Sequence, residues 1–146
     1  MKIAIGNDHA AFDMKVEIRD WLAGKGYEVL DVGTYDKASC DYPVYGKKLA
    51  DKVASGEADV GIGICGTGIG ISLACNKVHG IRAAVCSEAC SARLAKQHNN
   101  ANIICLGARI IGIETAKMIV EEWLNADFQG GRHAERVQMI MDLENK

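Results

Sequence analysis

Apolar positions in this chain follow two periods in turn. Short apolar runs recur along it, and between them apolar residues return every three or four positions. Lys2-Ile3-Ala4-Ile5-Gly6 predicts a strand, and residues 10–25 predict a helix. That helix would bury Met14, Ile18, Trp21 and Leu22 and turn Lys15, Arg19 and Asp20 to solvent, with Gly24 and Gly26 as its stop. Tyr27 to Gly33 predicts a second strand, and Pro43 suits the first position of a helix reaching about Ser55. Residues 59–64, 81–86 and 102–107 predict three further strands, with Ser87 as N-cap of a helix over 88–97. Residues 113–124 carry Ala116, Ile119, Val120 and Trp123 on one stripe. Gly130-Gly131 breaks the chain, and a last helix runs from about residue 132.

Strand-like runs alternating with helices imply an α/β fold, a five-stranded parallel sheet covered on both faces. Ligands of such sheets bind beyond the carboxyl ends of the strands. No linker, repeat or low-complexity stretch interrupts residues 1–146, so a single domain is expected, and 146 residues suffice for a sizeable core. A composition 49% hydrophobic and 25% charged is that of a soluble globular protein. The net charge of −2 gives no basic surface for nucleic acid or an anionic membrane. No apolar stretch reaches bilayer length, and the N-terminus is too short and polar for a secretion signal. The six cysteines, at 40, 65, 75, 86, 90 and 105, then read as reduced thiols of a cytoplasmic protein. Without a CxxC, and with histidines scattered at 9, 79, 98 and 133, they give little support to a zinc site.

Chemistry concentrates in Cys65-Gly66-Thr67-Gly68-Ile69-Gly70, between the third strand and a helix. A thiol at a strand tip beside unhindered N–H groups suits either a bound anion or a thiolate. Residues 61–66 also match GxGxxG. However, Gly61 and Gly63 would lie inside the strand rather than in the turn a dinucleotide site needs, and no P-loop lysine follows. Asp8 and His9 end the first strand. Asp8 reads locally as a helix N-cap, yet adjacent first and third strands would bring Asp8, His9 and Cys65 to one crevice. His98-Asn99-Asn100 ends the helix before strand five, at the opposite end of the sheet, so a catalytic His98 implies a site shared with a second subunit. Arg132 and Arg136, four apart on one helix face, fit either a solvated face paired with Glu135 and Asp142 or a phosphate clamp. Arg109, after strand five, is a weaker candidate of the same kind.

Together these residues resemble the type B ribose-5-phosphate isomerases and their sugar-phosphate isomerase relatives. The resemblance covers essentially the whole chain. It is carried by residues 5–11, Asp41-Tyr42-Pro43, residues 65–70 with Asn76-Lys77, His98-Asn99, residues 105–109, and Arg132 with Arg136. It implies a Rossmann-like three-layer α/β/α homodimer, or a dimer of such dimers, using no metal or nucleotide. The implied reaction interconverts ribose 5-phosphate and ribulose 5-phosphate through an enediolate. Cys65 would be the base and His98 the ring-opening acid/base, with Thr67 and Asp8 assisting. Sugar and phosphate contacts would fall on Asp8, His9, Gly66, Thr67, Gly68, Ile69, Gly70, Asn99, Arg109, Arg132 and Arg136. Some relatives replace the cysteine base; this chain retains it. The alternatives are a six-carbon sugar-phosphate isomerase (allose or galactose 6-phosphate), a flavodoxin-like nucleotide-binding module, and a thiol redox protein built on Cys65 or the Cys86/Cys90 pair.

Overall fold

A computed structural model of the chain describes all residues from Met1 to Lys146. Five strands form one parallel sheet: β1 (Lys2–Asn7), β2 (Glu28–Asp31), β3 (Val60–Cys65), β4 (Ala83–Val85) and β5 (Ile103–Gly107), in the spatial order β2-β1-β3-β5-β4. Six α-helices accompany them: α1 (Phe12–Gly24), α2 (Tyr42–Ala54), α3 (Ile69–Cys75), α4 (Ala89–Asn99), α5 (Ile113–Asn125) and α6 (Arg132–Asp142). The chain leaves β1 toward β2 on one side and returns to β3 on the other. The β1/β3 boundary is therefore the topological switch point, where such sheets bind ligands. No helix is long and apolar enough to cross a membrane.

The strand sequences explain the layering. In β3, Ile62 and Ile64 face α1, α4 and α5, where they join Ile3, Ile5, Ile104, Leu106, Ile18, Ile119 and Trp123 in one core. Burying each such side chain stabilises the fold by about 1.5–3 kcal/mol. The alternate positions, Gly61 and Gly63, lie under α2. A Cβ at Gly61 would stand 3.0 Å from Leu49 Cδ1, and one at Gly63 would stand 3.2 Å from Leu49 Cδ2. The GxGxxG match is thus a packing device, a smooth strand face that lets Leu49 lie against the backbone. The α5 stripe is buried as its period predicts: Ala116, Ile119, Val120 and Trp123, with the Trp123 indole N–H donating to Ala101 O at 3.0 Å.

Local boundaries depart from the sequence pattern in several places. The helix expected over 10–25 opens with a 3-10 turn, His9–Ala11, before α1. Gly26, at φ 94°, ends that segment. Strands β2 and β4 are shorter than their apolar runs: the last paired residues are Asp31 and Val85, although single bonds follow, Val32 N–H to Ile5 O at 2.9 Å and Cys86 N–H to Cys105 O at 3.0 Å. Tyr42 takes the first position of α2, with Pro43 second. Glu88, not Ser87, caps α4: its carboxylate accepts the Ser91 N–H at 2.8 Å, and a longer side chain reaches this amide from one residue further on.

Lys15 is the largest correction. Its helical position suggested solvent, yet it is fully buried. The ammonium donates to Asp31 Oδ2 at 2.9 Å and to Thr34 O at 2.8 Å, and lies 5.1 Å from the centroid of the Tyr35 ring. Arg19 meets the same carboxylate oxygen at 3.0 Å. Loop 33–41 folds back over α1 and covers the lysine, which helical periodicity alone cannot reveal. We expect Lys15→Met to lower unfolding free energy by about 3 kcal/mol, since it leaves Thr34 O without its buried donor. Urea denaturation measures this. A change below about 1 kcal/mol would mean the ammonium contributes no more than an exposed pair.

Candidate active site

Parallel register brings three loops to one level. Asn7 pairs with Ile64 across β1/β3, and Cys65 pairs with Gly107 across β3/β5. The ladder continues as Asp8 N–H to Ile64 O at 3.2 Å, Ala108 N–H to Cys65 O at 2.9 Å and Arg109 N–H to Gly66 O at 2.9 Å. Asp8, Cys65 and Arg109 therefore converge at the switch point. With Gly66, Thr67, Ile69, Gly70, Tyr42 and Leu73 they line a cavity of about 450 Å³.

Cys65 is 4% exposed, and its sulfur accepts the Gly68 N–H at 3.1 Å. Gly68 sits at φ 80°, the left-handed region that glycine tolerates, and this conformation turns its amide back toward the thiol. The Thr67 hydroxyl does not meet the sulfur; its oxygen accepts the Ile69 N–H at 3.1 Å. The N–H groups of Gly66, Thr67 and Gly70 donate to no other group of the chain, and all three residues border the cavity. A Cβ at Gly107 would lie 2.5 Å from Thr67 O, so β5 can support the loop only with glycine there. One Asp8 oxygen, Oδ1, accepts the Ala10 N–H at 3.0 Å, the N-cap expected from sequence; the other makes no internal hydrogen bond. His9 is not on the cavity wall with Asp8, and its Nδ1 instead meets the Cys40 N–H at 3.1 Å.

All six cysteines are free. Burial, then the Glu88 charge, pushes the Cys86 thiol up to about 11. Hydrogen bonding with Cys75, then burial, raises Cys105 well above the usual range. Both stay protonated at neutral pH, which removes them from thiolate chemistry. No cluster of three or more His, Cys, Asp or Glu side chains is arranged to hold a metal ion.

The remaining candidates gather elsewhere. His98 lies in the last turn of α4, which leads into the amino end of β5; that strand alone spans roughly 15 Å. Asn100 ends α4 in the left-handed conformation at φ 47°, as an Asn C-cap does. The His98 ring stacks on His133 of α6, with centroids 4.3 Å apart and planes within 7°. Asn99, Arg132 and Arg136 are exposed. Neither arginine pairs with Glu135 or Asp142: the Asp142 carboxylate accepts from Gln138, and no ion pair forms. Sequence reasoning missed Tyr42 and Leu73 as cavity walls. Tyr42 reaches the site only because Gly70 leaves room for its ring, where a Cβ would stand 2.5 Å from Tyr42 Cε1.

A thiol, a carboxylate and a guanidinium at the switch point of a doubly wound sheet define an α/β protein with a small-ligand site at its carboxyl edge. The chain belongs to the ribose/galactose isomerase family, whose model matches residues 3–140. It is 52% identical to ribose-5-phosphate isomerase B of Escherichia coli, over 99% of this chain and 97% of that protein. Ribose-5-phosphate isomerase B of Clostridium thermocellum superposes with a TM-score of 0.98 at 55% identity, covering 99% of this chain and 98% of that one. The Mycoplasma genitalium enzyme, solved with bound ribulose 5-phosphate, superposes with a TM-score of 0.95 at 40% identity, covering 99% and 97%.

Partial burial, then the positive charges of His98, Arg132 and Arg136, hold His133 below its usual 6.5. The folded state therefore resists a proton that the unfolded chain accepts. The associated stability is complete above 6.5 and is lost as pH falls through that value toward the folded one. We expect Tm to decline between about pH 7 and about pH 5, and His133→Gln to flatten that decline. Equal slopes in the two proteins would assign the decline to other groups.

Proposed function

We propose that this protein interconverts ribose 5-phosphate and ribulose 5-phosphate through an enediolate, with Cys65 as the base. The observation that carries this reading is the buried Cys65 sulfur facing the Gly68 amide, beside unpartnered loop N–H groups. A donor aimed at sulfur stabilises negative charge there. The thiolate removes the C2 proton, and the charge moves to the substrate oxygens. The Gly66, Thr67 and Gly70 amides meet that oxyanion without reorganising, each worth roughly 3–4 kcal/mol when well aimed. Asp8, through its free oxygen, relays protons among the sugar hydroxyls, and the Thr67 hydroxyl remains free to donate. Gly68 and Ile69 shape the loop, and Arg109 lies over Gly66 at the cavity edge. The ribulose 5-phosphate held by the Mycoplasma genitalium relative supports a pentose phosphate as the substrate.

The sugar enters as a closed ring, and a proton shuttle near neutral pH suits an imidazole. In this reading His98 of a second copy supplies it, with Asn99 orienting the sugar and Arg132 and Arg136 gripping the phosphate. The two half-sites at opposite ends of one sheet support a homodimer with shared sites. So do exposed apolar side chains at the cavity rim, Ile69 at 54% and Leu73 at 62%. Proton transfer and the loop amides account for the chemistry without a metal or nucleotide.

Cys65→Ala and His98→Ala homodimers should each lose at least about a hundredfold in kcat. Unfolded together and refolded, they should regain activity, because one of two shared sites in a mixed dimer is intact. No recovery in verified heterodimers would refute the shared site. Side-by-side turnover of ribose 5-phosphate and allose 6-phosphate tests the substrate: equal or higher kcat/KM on the hexose would replace the pentose assignment.

A further inference from the structure

His9 adjoins Asp8, and Cys40 lies two residues before Tyr42; Asp8 and Tyr42 both line the cavity. The Cys40 backbone N–H donates to His9 Nδ1 at 3.1 Å, while the Cys40 sulfur is 3.9 Å from the same nitrogen. A hydroxyl or thiol could act as donor or acceptor to an imidazole, but a backbone amide can only donate. Nδ1 must then be the lone-pair nitrogen, and the proton of the neutral ring sits on Nε2.

The amide is well anchored although residues 35–39 are exposed. At the start of the loop, Lys15 donates to Thr34 O at 2.8 Å, and Asp31 Oδ1 accepts the Gly33 N–H at 3.0 Å. Gly33 packs directly on the side-chain oxygen of Asn7, a buried atom with no hydrogen-bond partner, and any Cβ there would collide with it. Further along, Asp36 Oδ1 accepts the Ala38 N–H at 2.9 Å, and Lys37 pairs with Asp13 at 3.2 Å. At its far end the loop enters α2, which is packed on β3 through Leu49.

We propose that loop 33–41, through the Cys40 amide, locks His9 as the Nε2-protonated tautomer. His9, next to Asp8 but outside the cavity wall, thereby offers a fixed Nε2–H donor to a substrate oxygen that extends past Asp8 and is withheld from proton abstraction, and Cys40 is a positioning residue. The identity of that substrate rests on the isomerase reading; the tautomer does not. The arrangement divides labour between histidines. His98 must exchange a proton to open the ring, whereas His9 keeps one proton on one nitrogen throughout.

The test is the long-range proton–nitrogen spectrum of the imidazoles in the uniformly 15N-labelled full-length protein, with His9 assigned by its loss in His9→Gln. An unprotonated Nδ1 and a protonated Nε2 are expected at neutral pH. The reverse pattern, or an average of both tautomers, would overturn the proposal. Cys40→Pro deletes the donor and should give averaged tautomers. Its KM for ribose 5-phosphate should rise about tenfold, while kcat changes by less than about threefold. Cys40→Ala keeps the amide and should keep the single tautomer; averaging there would assign the role to the thiol and overturn the proposal. A single tautomer retained in Cys40→Pro would also overturn it. If the wild-type protein fails to turn over ribose 5-phosphate, the isomerase reading falls while its spectrum still decides the tautomer.

Discussion

The parallel pairing of β3 between β1 and β5 is the constraint on which the site depends. A parallel ladder admits one register wherever both faces are buried, because a slip by one residue would send every side chain to the wrong layer. Here a slip would drive Ile62 and Ile64 into the narrow space under α2 that Gly61 and Gly63 keep open for Leu49. With the register held, the three chains leave the sheet at the same level, and Asp8, Cys65 and Arg109 are neighbours by construction. The same close approach seats α2, so that its first residue, Tyr42, reaches the cavity rim.

Electrostatic order in the cavity follows from how backbone donors are divided. Two amides of the glycine loop are used internally, Gly68 on the thiol and Ile69 on Thr67, and these bonds hold the loop shape. Those of Gly66, Thr67 and Gly70, residues that line the cavity, have no internal acceptor. Donors oriented before substrate arrives need no rearrangement as charge develops. Lys15 plays a comparable role outside the cavity: a buried charge held by Asp31, Thr34 O and the Tyr35 ring ties down the start of a loop whose residues 35–39 are exposed.

The polarity of the fold separates the remaining functional groups. In a parallel sheet every helix returns the chain from the carboxyl to the amino edge. Residues at the end of α4 thus cannot reach the end of β3 in the same copy, and His98 stacks instead on His133 beside Arg132 and Arg136. Exposed apolar side chains, Ile69 at 54% and Leu73 at 62%, rim the cavity. In the homodimer we propose, a second copy brings the two groups together.

Much of this was legible from residues alone, and for local reasons. Strand and helix periods are near-neighbour properties, so the alternation of elements, the α5 stripe, the Asn100 cap and the placement of Gly61 and Gly63 inside a strand could all be read directly. The place of residues 65–70 at the carboxyl edge of the sheet, and its distance from His98, followed from the order of elements. Other features needed the tertiary structure, because they depend on contacts between segments far apart in the chain. Lys15 is buried because a loop beginning eighteen residues later folds over it. Tyr42 walls the cavity because Gly70 makes room, and His9 turns its Nδ1 to Cys40, thirty-one positions away. Sequence determined which groups this protein possesses and at which edge of the sheet each lies. Only packing decided which are sheltered, which are paired, and which are left free to meet a ligand.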